Sequence, residues 1–286
     1  MKLSIITINY NNKAGLQKTI DSVIPQTYKD FEWIIIDGGS TDGSKELIEQ
    51  YSQHITYWVS EPDNGIYHAL NKGILQAKGD YLIFMNSGDT FYNADTIYNV
   101  FLDIEHIDAD IIYGNTIIDN KKTLEKGYPT SNVSLSYLFD SPIIQQSMFI
   151  KRELQIKFPY DEKYKYAADR KFLIMSVLAG ATFHYINMFI AIYDFTGLSS
   201  CNTKKVQEEH KHIIDEIVPK TIKQDIIELY EYRLIKQTYP ILSQIHQYLQ
   251  KRWLYLILFQ YFCKLISLIN KILPSPLKTY TTNIKK

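Results

Sequence analysis

The sequence predicts an α/β protein with a mostly parallel central sheet, followed by a mainly helical C-terminal extension. Two observations carry the sheet. Short continuous apolar runs alternate with segments of helical period through residues 1–90, and no run alternates polar with apolar, so both faces of each strand are covered. A third observation carries the extension: from Thr203 onward the pattern is helical almost throughout.

The elements follow in order. "LSIITI" is the first strand, and an Asn-rich turn leads to a helical pattern through Leu16, Ile20, Val23 and Ile24. "FEWIIID" is the second strand, followed by "GGSTDGS" and a helix through Leu47 and Ile48. "ITYWVS" is the third, followed by "EPDNG" and a helix with Ile66, Ala69, Leu70, Gly73, Ile74 and Ala77 on one face. "DYLIFM" is the fourth and runs into "NSGDT". Beyond Asp89 the pattern is mixed. "DIIYGN" and "QSMFIK" read as strands, Ala168 to Leu178 as a helix, and "TFHYI" and "MFIAIYDF" as two more strands. The domain boundary is placed near Ser200, giving domains 1–200 and 201–286.

Composition narrows the classes. Hydrophobic residues at 45% and charged residues at 22% fit a soluble core. Cys201 and Cys263 are too few for a disulfide framework or a zinc cluster and fit a reducing cytoplasm. The N-terminal "MKLSIITINYNNK" is broken by Asn9 and reads as a buried strand rather than a signal peptide. The net charge is zero, yet no Asp or Glu follows Glu231. Nine of the 31 basic residues lie beyond it, leaving 22 basic against 31 acidic residues in the body. A basic, apolar tail on an acidic body points to an anionic surface as its partner, and no nucleic-acid partner is expected.

Open parallel sheets bind ligands at the carboxyl ends of their strands. Those ends here carry Thr7 and Asn9, then Asp37 with Gly38 and Gly39, then Asp63 with Asn64 and Gly65, then Asn86, Ser87, Gly88 and Asp89. Four polar ends in register predict one polar site. The glycines permit close backbone approach or positive φ. Neither "GGSTDG" nor "NSGD" fits the dinucleotide fingerprint or the P-loop, which sets aside an NAD enzyme or an ATPase.

"SIITINYNN", "WIIIDGGSTDGS", "EPDNGIYHALNKGILQAKGDYLIFMNSGD" and "YAADRKFLI" together resemble the inverting family 2 glycosyltransferases of GT-A (Rossmann-like) fold, in the bacterial branch that builds capsular, lipopolysaccharide or exopolysaccharide chains. The resemblance covers roughly residues 1 to 200, with a nucleotide-binding half near 1–90 and an acceptor half near 91–200. It implies that Asp37 contacts the uracil ring of a UDP-sugar, with Thr7 and Asn9 beside it and Asp63 close to the nucleotide. Asp89 is implied as the ligand of Mg²⁺ or Mn²⁺. Ser87 stands where relatives often carry the first carboxylate of Asp-x-Asp, so Asn86 or Ser87 would assist, with diphosphate and water completing the octahedron. Asp169 is implied as the general base, although Ala168 precedes it where the family often has Glu. Gln145 and Gln146 would line the acceptor pocket.

Other positions stay open. Lys72 either pairs with phosphate or is solvated, and Asn71 sits beside it on the same helix. Asp42 either binds or belongs to a helix start. Arg170 either holds the Asp169 carboxylate or a phosphate, or lies at the surface. Gly197 to Ser200 is either a closing loop or a plain turn. His68 and His184 read as packed or surface histidines. In "RWLYLILFQYFCKLISLINKILP", Gln260, Lys264, Ser267 and Lys271 form one polar stripe. That segment is an in-plane amphipathic helix on anionic lipid or a helix packed on the catalytic domain or a partner. The resulting expectation is a cytoplasmic enzyme, peripheral on the inner face of the membrane. It would transfer a sugar from a nucleotide donor to a glycan or polyprenyl-diphosphate-linked acceptor. A sugar-phosphate nucleotidyltransferase and a non-enzymatic nucleotide-sugar sensor are the alternatives.

Overall fold

A computed structural model describes residues 2–104, 106–139, 143–197 and 201–238, with the isolated positions 261, 264 and 265. The chain divides into two compact units, Met1–Pro219 and Lys220–Lys286. The first unit runs past Ser200 and includes the helix Thr203–Ile217. In the second unit the described helix is Lys220–Thr238. The apolar segment 252–274 lies outside the described residues except at 261, 264 and 265, so the amphipathic-helix expectation falls there too. No described helix is long and apolar enough to cross a membrane.

The first unit opens with three β-α steps and a fourth strand: β1 (Leu3–Asn9), α1 (Lys13–Val23), β2 (Phe31–Asp37), α2 (Ser44–Gln50), β3 (Tyr57–Ser60), α3 (Ile66–Gln76) and β4 (Tyr81–Phe84). These strands pair in the order β3-β2-β1-β4, all parallel. Side chains along them go alternately to two cores. Ile6, Ile34, Ile36, Leu82 and Phe84 join Leu70 of α3 on one side. Leu3, Ile5, Trp33, Ile35 and Ile83 join Leu16 and Ile20 of α1 on the other. Burial on both faces is why the runs are continuous rather than alternating.

Beyond β4 come β5 (Thr90–Phe91), α4 (Thr96–Asp103), β6 (Ile111–Asp119), β7 (Leu124–Gly127), α5 (Leu135–Leu138), β8 (Met148–Lys151), α6 (Arg152–Lys157), α7 (Ala168–Leu178) and β9 (Phe183–Asp194). The sheet here is mixed. β8 is antiparallel to both β4 and β6, β9 runs parallel to β6, and β5 is antiparallel to β9. The two strands expected from "TFHYI" and "MFIAIYDF" form one strand, β9. The break read at Asn187 is a register irregularity opposite Gly114. A Cβ at Gly114 would lie 2.7 Å from the Met188 carbonyl oxygen, so only glycine lets the bulge close against β6.

The helix Thr203–Ile217 docks on the first unit with Ile213 and Ile214 buried in the core that also holds Phe172 and Leu173 of α7. A polar seam accompanies them. Glu216 accepts from Lys163 Nζ (2.7 Å), Lys171 Nζ (2.9 Å) and the Tyr164 hydroxyl (2.7 Å). Arg170 Nη1 donates to His210 Nδ1 at 3.0 Å, and arginine can only donate, so the imidazole is neutral. Burial, then the Arg170 charge, pushes the His210 pKa down from 6.5 to about 4. The unfolded chain therefore takes up this proton as pH falls through 6.5, while the native state resists until about 4. Stability is lost across that window, about 3 kcal/mol in full. Thermal midpoints at pH 7 and pH 4.5 check this. His210→Gln should lose about 5 °C less on acidification than the wild type; equal losses would contradict it.

Candidate active site

The carboxyl ends of β1 to β4 open into a cleft of about 1390 Å³. Asn9, Gly38, Gly39, Asp63, Asn86, Ser87, Asp89, Gln146, Asp169 and Arg170 all line it. The strand ends thus open into one cleft, which Asp169 and Arg170 of α7 also line.

Asp37 ends β2, in register with Asn9 of β1 and Ser60 of β3. It lies just beneath the cleft floor, fully buried. Its Oδ1 accepts from Asn9 Nδ2 (2.7 Å) and Ser40 Oγ (2.6 Å), and its Oδ2 from the Ser40 N–H (2.9 Å) and Ser60 Oγ (2.6 Å). Burial pushes its pKa up, but the donors from Ser40, Ser60 and Asn9 outweigh it and hold the carboxyl below its ordinary value. Asn9 thereby has its amide fixed, and its Oδ1 is buried without a partner.

Asp63 Oδ1 accepts from the Gly65 N–H at 2.8 Å, and its Oδ2 turns toward Gly38. A Cβ at Gly38 would stand 2.6 Å from that oxygen and 3.1 Å from the Tyr10 ring. Gly38→Ala should therefore push both side chains out of place while the fold persists. A crystal structure of the variant checks this; Asp63 and Tyr10 left in place would contradict it.

Asp89 is 4% exposed and follows the turn after β4. Its Oδ1 accepts from the Asp194 N–H at 2.9 Å and its Oδ2 from Gln146 Nε2 at 2.7 Å. Thr19 Oγ1 donates to its carbonyl oxygen at 2.8 Å, tying the turn to α1. Burial pushes the carboxyl up to about 7, against the lowering effect of those two donors. Beside it, Asn86 Oδ1 and Ser87 Oγ are buried without partners. A buried carboxylate next to unpartnered hard oxygens fits Mg²⁺ or Mn²⁺. Among the described residues no group of three or more His, Cys, Asp or Glu could hold a cation alone, so a diphosphate would have to share it.

Asp169 stands in the first turn of α7. Its Oδ1 accepts from the Tyr67 hydroxyl at 3.0 Å. Burial raises its pKa, with the Arg170 charge and the Tyr67 donor working against the shift. A raised pKa makes this carboxylate a stronger base than an exposed aspartate. Gln145 and Gln146 precede β8 and both line the cleft, Gln145 donating to the Tyr160 hydroxyl at 2.6 Å.

Thr7 and Lys72 are placed away from the cleft, and the positions left open fall as follows. Thr7 is fully buried, and its Oγ1 accepts from Trp33 Nε1 at 3.0 Å on the core side of the sheet. Lys72 pairs with Glu61 at 2.5 Å and does not line the cleft. Asp42 accepts from the Lys13 and Ser44 N–H groups and so joins the starts of α1 and α2. Asn71 bridges to Tyr160 and Glu162. His68 Nδ1 accepts from the Asn64 N–H, and His184 lies on β9 opposite Ile112. Of the loop Gly197 to Ser200, Gly197 lines the cleft and 198–200 lie outside the described residues. The sequence reading missed Asp194, which lines the cleft at the end of β9, held by Lys121 Nζ at 2.6 Å. Applying the strand-end rule to "MFIAIYDF" would have found it. It also missed Tyr67, for which a buried helix tyrosine gives no signal.

A parallel β3-β2-β1-β4 half, a mixed second half and a strand-end cleft are the architecture of a GT-A glycosyltransferase. The chain is similar in fold to residues 1–349 of TarS from S. aureus in complex with UDP-GlcNAc. The TM-score is 0.63 at 18% identity, covering 88% of this chain and 78% of that one. It is likewise similar to the mannosyltransferase PcManGT from Pyrobaculum calidifontis in complex with GDP-Man and Mn²⁺. Here the TM-score is 0.61 at 17% identity, covering 98% and 83% of the two chains. In sequence it is 32% identical over 204 residues to the PGL/p-HBAD biosynthesis glycosyltransferase of Mycobacterium bovis (strain BCG / Pasteur 1173P2), spanning 69% of this chain and 78% of that relative. The sequence model of glycosyl transferase family 2 matches residues 4–170. The chain belongs to glycosyl transferase family 2, and it is a glycosyltransferase enzyme rather than a nucleotidyltransferase.

Proposed function

We propose that this glycosyltransferase works with inversion, from a nucleotide-diphosphate sugar, with UDP as the nucleotide, to a hydroxyl of a lipid-linked or growing cell-surface glycan. The observation that carries the reading is the single cleft that gathers Asp89 from the end of β4 and Asp169 from the start of α7. Asn9, Asp63 and the Gly38-Gly39 turn form the base end, with Asp37 fixing Asn9 from below. Mg²⁺ or Mn²⁺, held by Asp89 with Ser87 and Asn86 in support, supplies Lewis-acid stabilisation of the diphosphate leaving group. Asp169 accepts the proton of the incoming hydroxyl. That oxygen forms its bond to the anomeric carbon as the carbon–phosphate-oxygen bond breaks, and the electron pair leaves with UDP.

The cleft is also rich in aromatic residues. Tyr128, Tyr137, Tyr166, Tyr193 and Phe195 line it, and such rings offer apolar faces with polar edges that suit sugar rings. A polyprenyl-diphosphate-linked acceptor and an anionic membrane surface would suit the basic tail. This reading places the enzyme on the cytoplasmic face of the membrane. Saturation-transfer NMR with UDP-, GDP- and dTDP-sugars, with and without Mn²⁺, tests the donor. UDP-sugars should give the strongest transfer, enhanced by the cation. Product NMR tests inversion, since the new linkage should have the opposite anomeric configuration to the donor.

A further inference from the structure

The N-cap of α7, Ala167, has no polar side chain. Asp169 itself accepts from N–H groups of the first turn, and the N–H groups of Lys165, Tyr166 and Ala167 just before it need another acceptor. The acceptor comes from far along the chain. Glu209, in the middle of the helix Thr203–Ile217, takes the N–H of Lys165 on one carboxylate oxygen at 2.9 Å. Its other oxygen takes those of Tyr166 and Ala167 at 2.8 and 3.0 Å. The next residue, His210, accepts from the side chain of Arg170. Glu209 and His210 therefore grip the chain on both sides of Asp169, by its backbone just before and by a side chain just after. Both lie beyond residues 4–170, the segment matched to the family.

We infer that Glu209 is a positioning residue for Asp169: its carboxylate fixes the backbone from which the base reaches the acceptor hydroxyl. The inference rests on the assignment of Asp169 as base. A carboxylate holding three N–H groups makes charge-assisted bonds, the strong kind, and their loss frees the turn. A base displaced by about 1 Å can lose about 10²-fold in rate, so a loss of at least tenfold is expected. Donor binding should not change, because the nucleotide end is built from β1 to β4.

The test compares wild type, Glu209→Ala, Glu209→Gln and Asp169→Asn in the full chain. Calorimetry with UDP gives affinity and the fraction of competent sites. UDP release from a mixture of UDP-Glc, UDP-Gal, UDP-GlcNAc and UDP-GalNAc gives turnover per competent site. Glu209→Ala should lose at least tenfold in turnover with UDP affinity and donor KM unchanged. Glu209→Gln, which keeps one acceptor oxygen, should fall between it and wild type. Turnover of Glu209→Ala within twofold of wild type, while Asp169→Asn is inactive, would overturn the inference and leave the base in place. Full turnover by Asp169→Asn would instead overturn the base. Should Glu209→Ala fail to fold, Glu209→Gln decides: reduced turnover at full UDP stoichiometry supports the inference, and wild-type turnover overturns it.

Discussion

Asp169→Asn should bind UDP as the wild type does and lose about 10²–10⁴-fold in turnover, the range that general-base catalysis supplies. The substitution is isosteric, and Tyr67 can still donate to the remaining oxygen, so α7 should keep its start. Asparagine cannot take the acceptor's proton, which isolates the chemical step. The pH dependence follows from the same carboxyl. Burial raises its pKa above the ordinary carboxylate value, and the base works only when ionised. The acid limb of the rate profile should therefore set in at higher pH than an exposed aspartate would give. A steady-state profile of the wild type checks the limb, and calorimetry with the variant checks retained binding. A variant that turns over normally, or one that no longer binds UDP, would remove Asp169 from the proposed role.

Asp89→Asn should uncouple the cation from the nucleotide. In the wild type Mn²⁺ and UDP should each strengthen the other's binding by the same factor, as linkage requires. In the variant that factor should approach one, and turnover should fall by about 10³-fold, since the cation's charge stabilisation is worth several kcal/mol. Stability should move the other way. The native carboxyl has its pKa pushed up to about 7, so between the ordinary value and 7 the unfolded chain is ionised while the native state resists. Wild-type stability therefore falls as pH rises through that window, by at most about 4 kcal/mol. The variant escapes this loss. Its thermal midpoint at pH 8, without metal, should equal or exceed that of the wild type, with the gap closing by pH 5. A variant markedly less stable at pH 8 would show that the Asp89 carboxylate is favourable where it stands.

The first half of the fold was legible because one rule governs it. Continuous apolar runs mark strands buried on both faces, and β1, β2 and β4 obey that rule, while β3 at the sheet edge has no buried residue. The second half obeys several rules at once. β8 is short and antiparallel, β5 has two residues, and the bulge in β9 reads as a break because Asn187 interrupts an otherwise apolar segment. Cleft-lining residues were legible where backbone position alone decides, as at Asn9, Asp63, Asn86, Ser87 and Asp89. They were not legible where side-chain direction decides. Thr7 shares a strand face with Asn9 but lies two residues, about 7 Å, short of the strand end, and there it meets Trp33 in the core. Lys72 is one helix turn from cleft residues yet finds Glu61 first. Asp37 keeps its strand-end place, but its four acceptor sites are filled by neighbours that only the folded chain brings together. Glu209 was invisible because its partners lie more than forty residues earlier and are backbone groups without a side-chain signature.

A crystal structure with an unhydrolysed UDP-sugar and Mn²⁺ tests most directly the claim that strand ends and α7 build one transfer site. The claim predicts the uracil among Asn9, Gly38 and Asp63, the cation between Asp89 and the diphosphate, and Asp169 across the anomeric carbon from the leaving oxygen. A nucleotide seated away from the β1–β4 strand ends, or a sugar with Asp169 on the same side as its diphosphate, would contradict it.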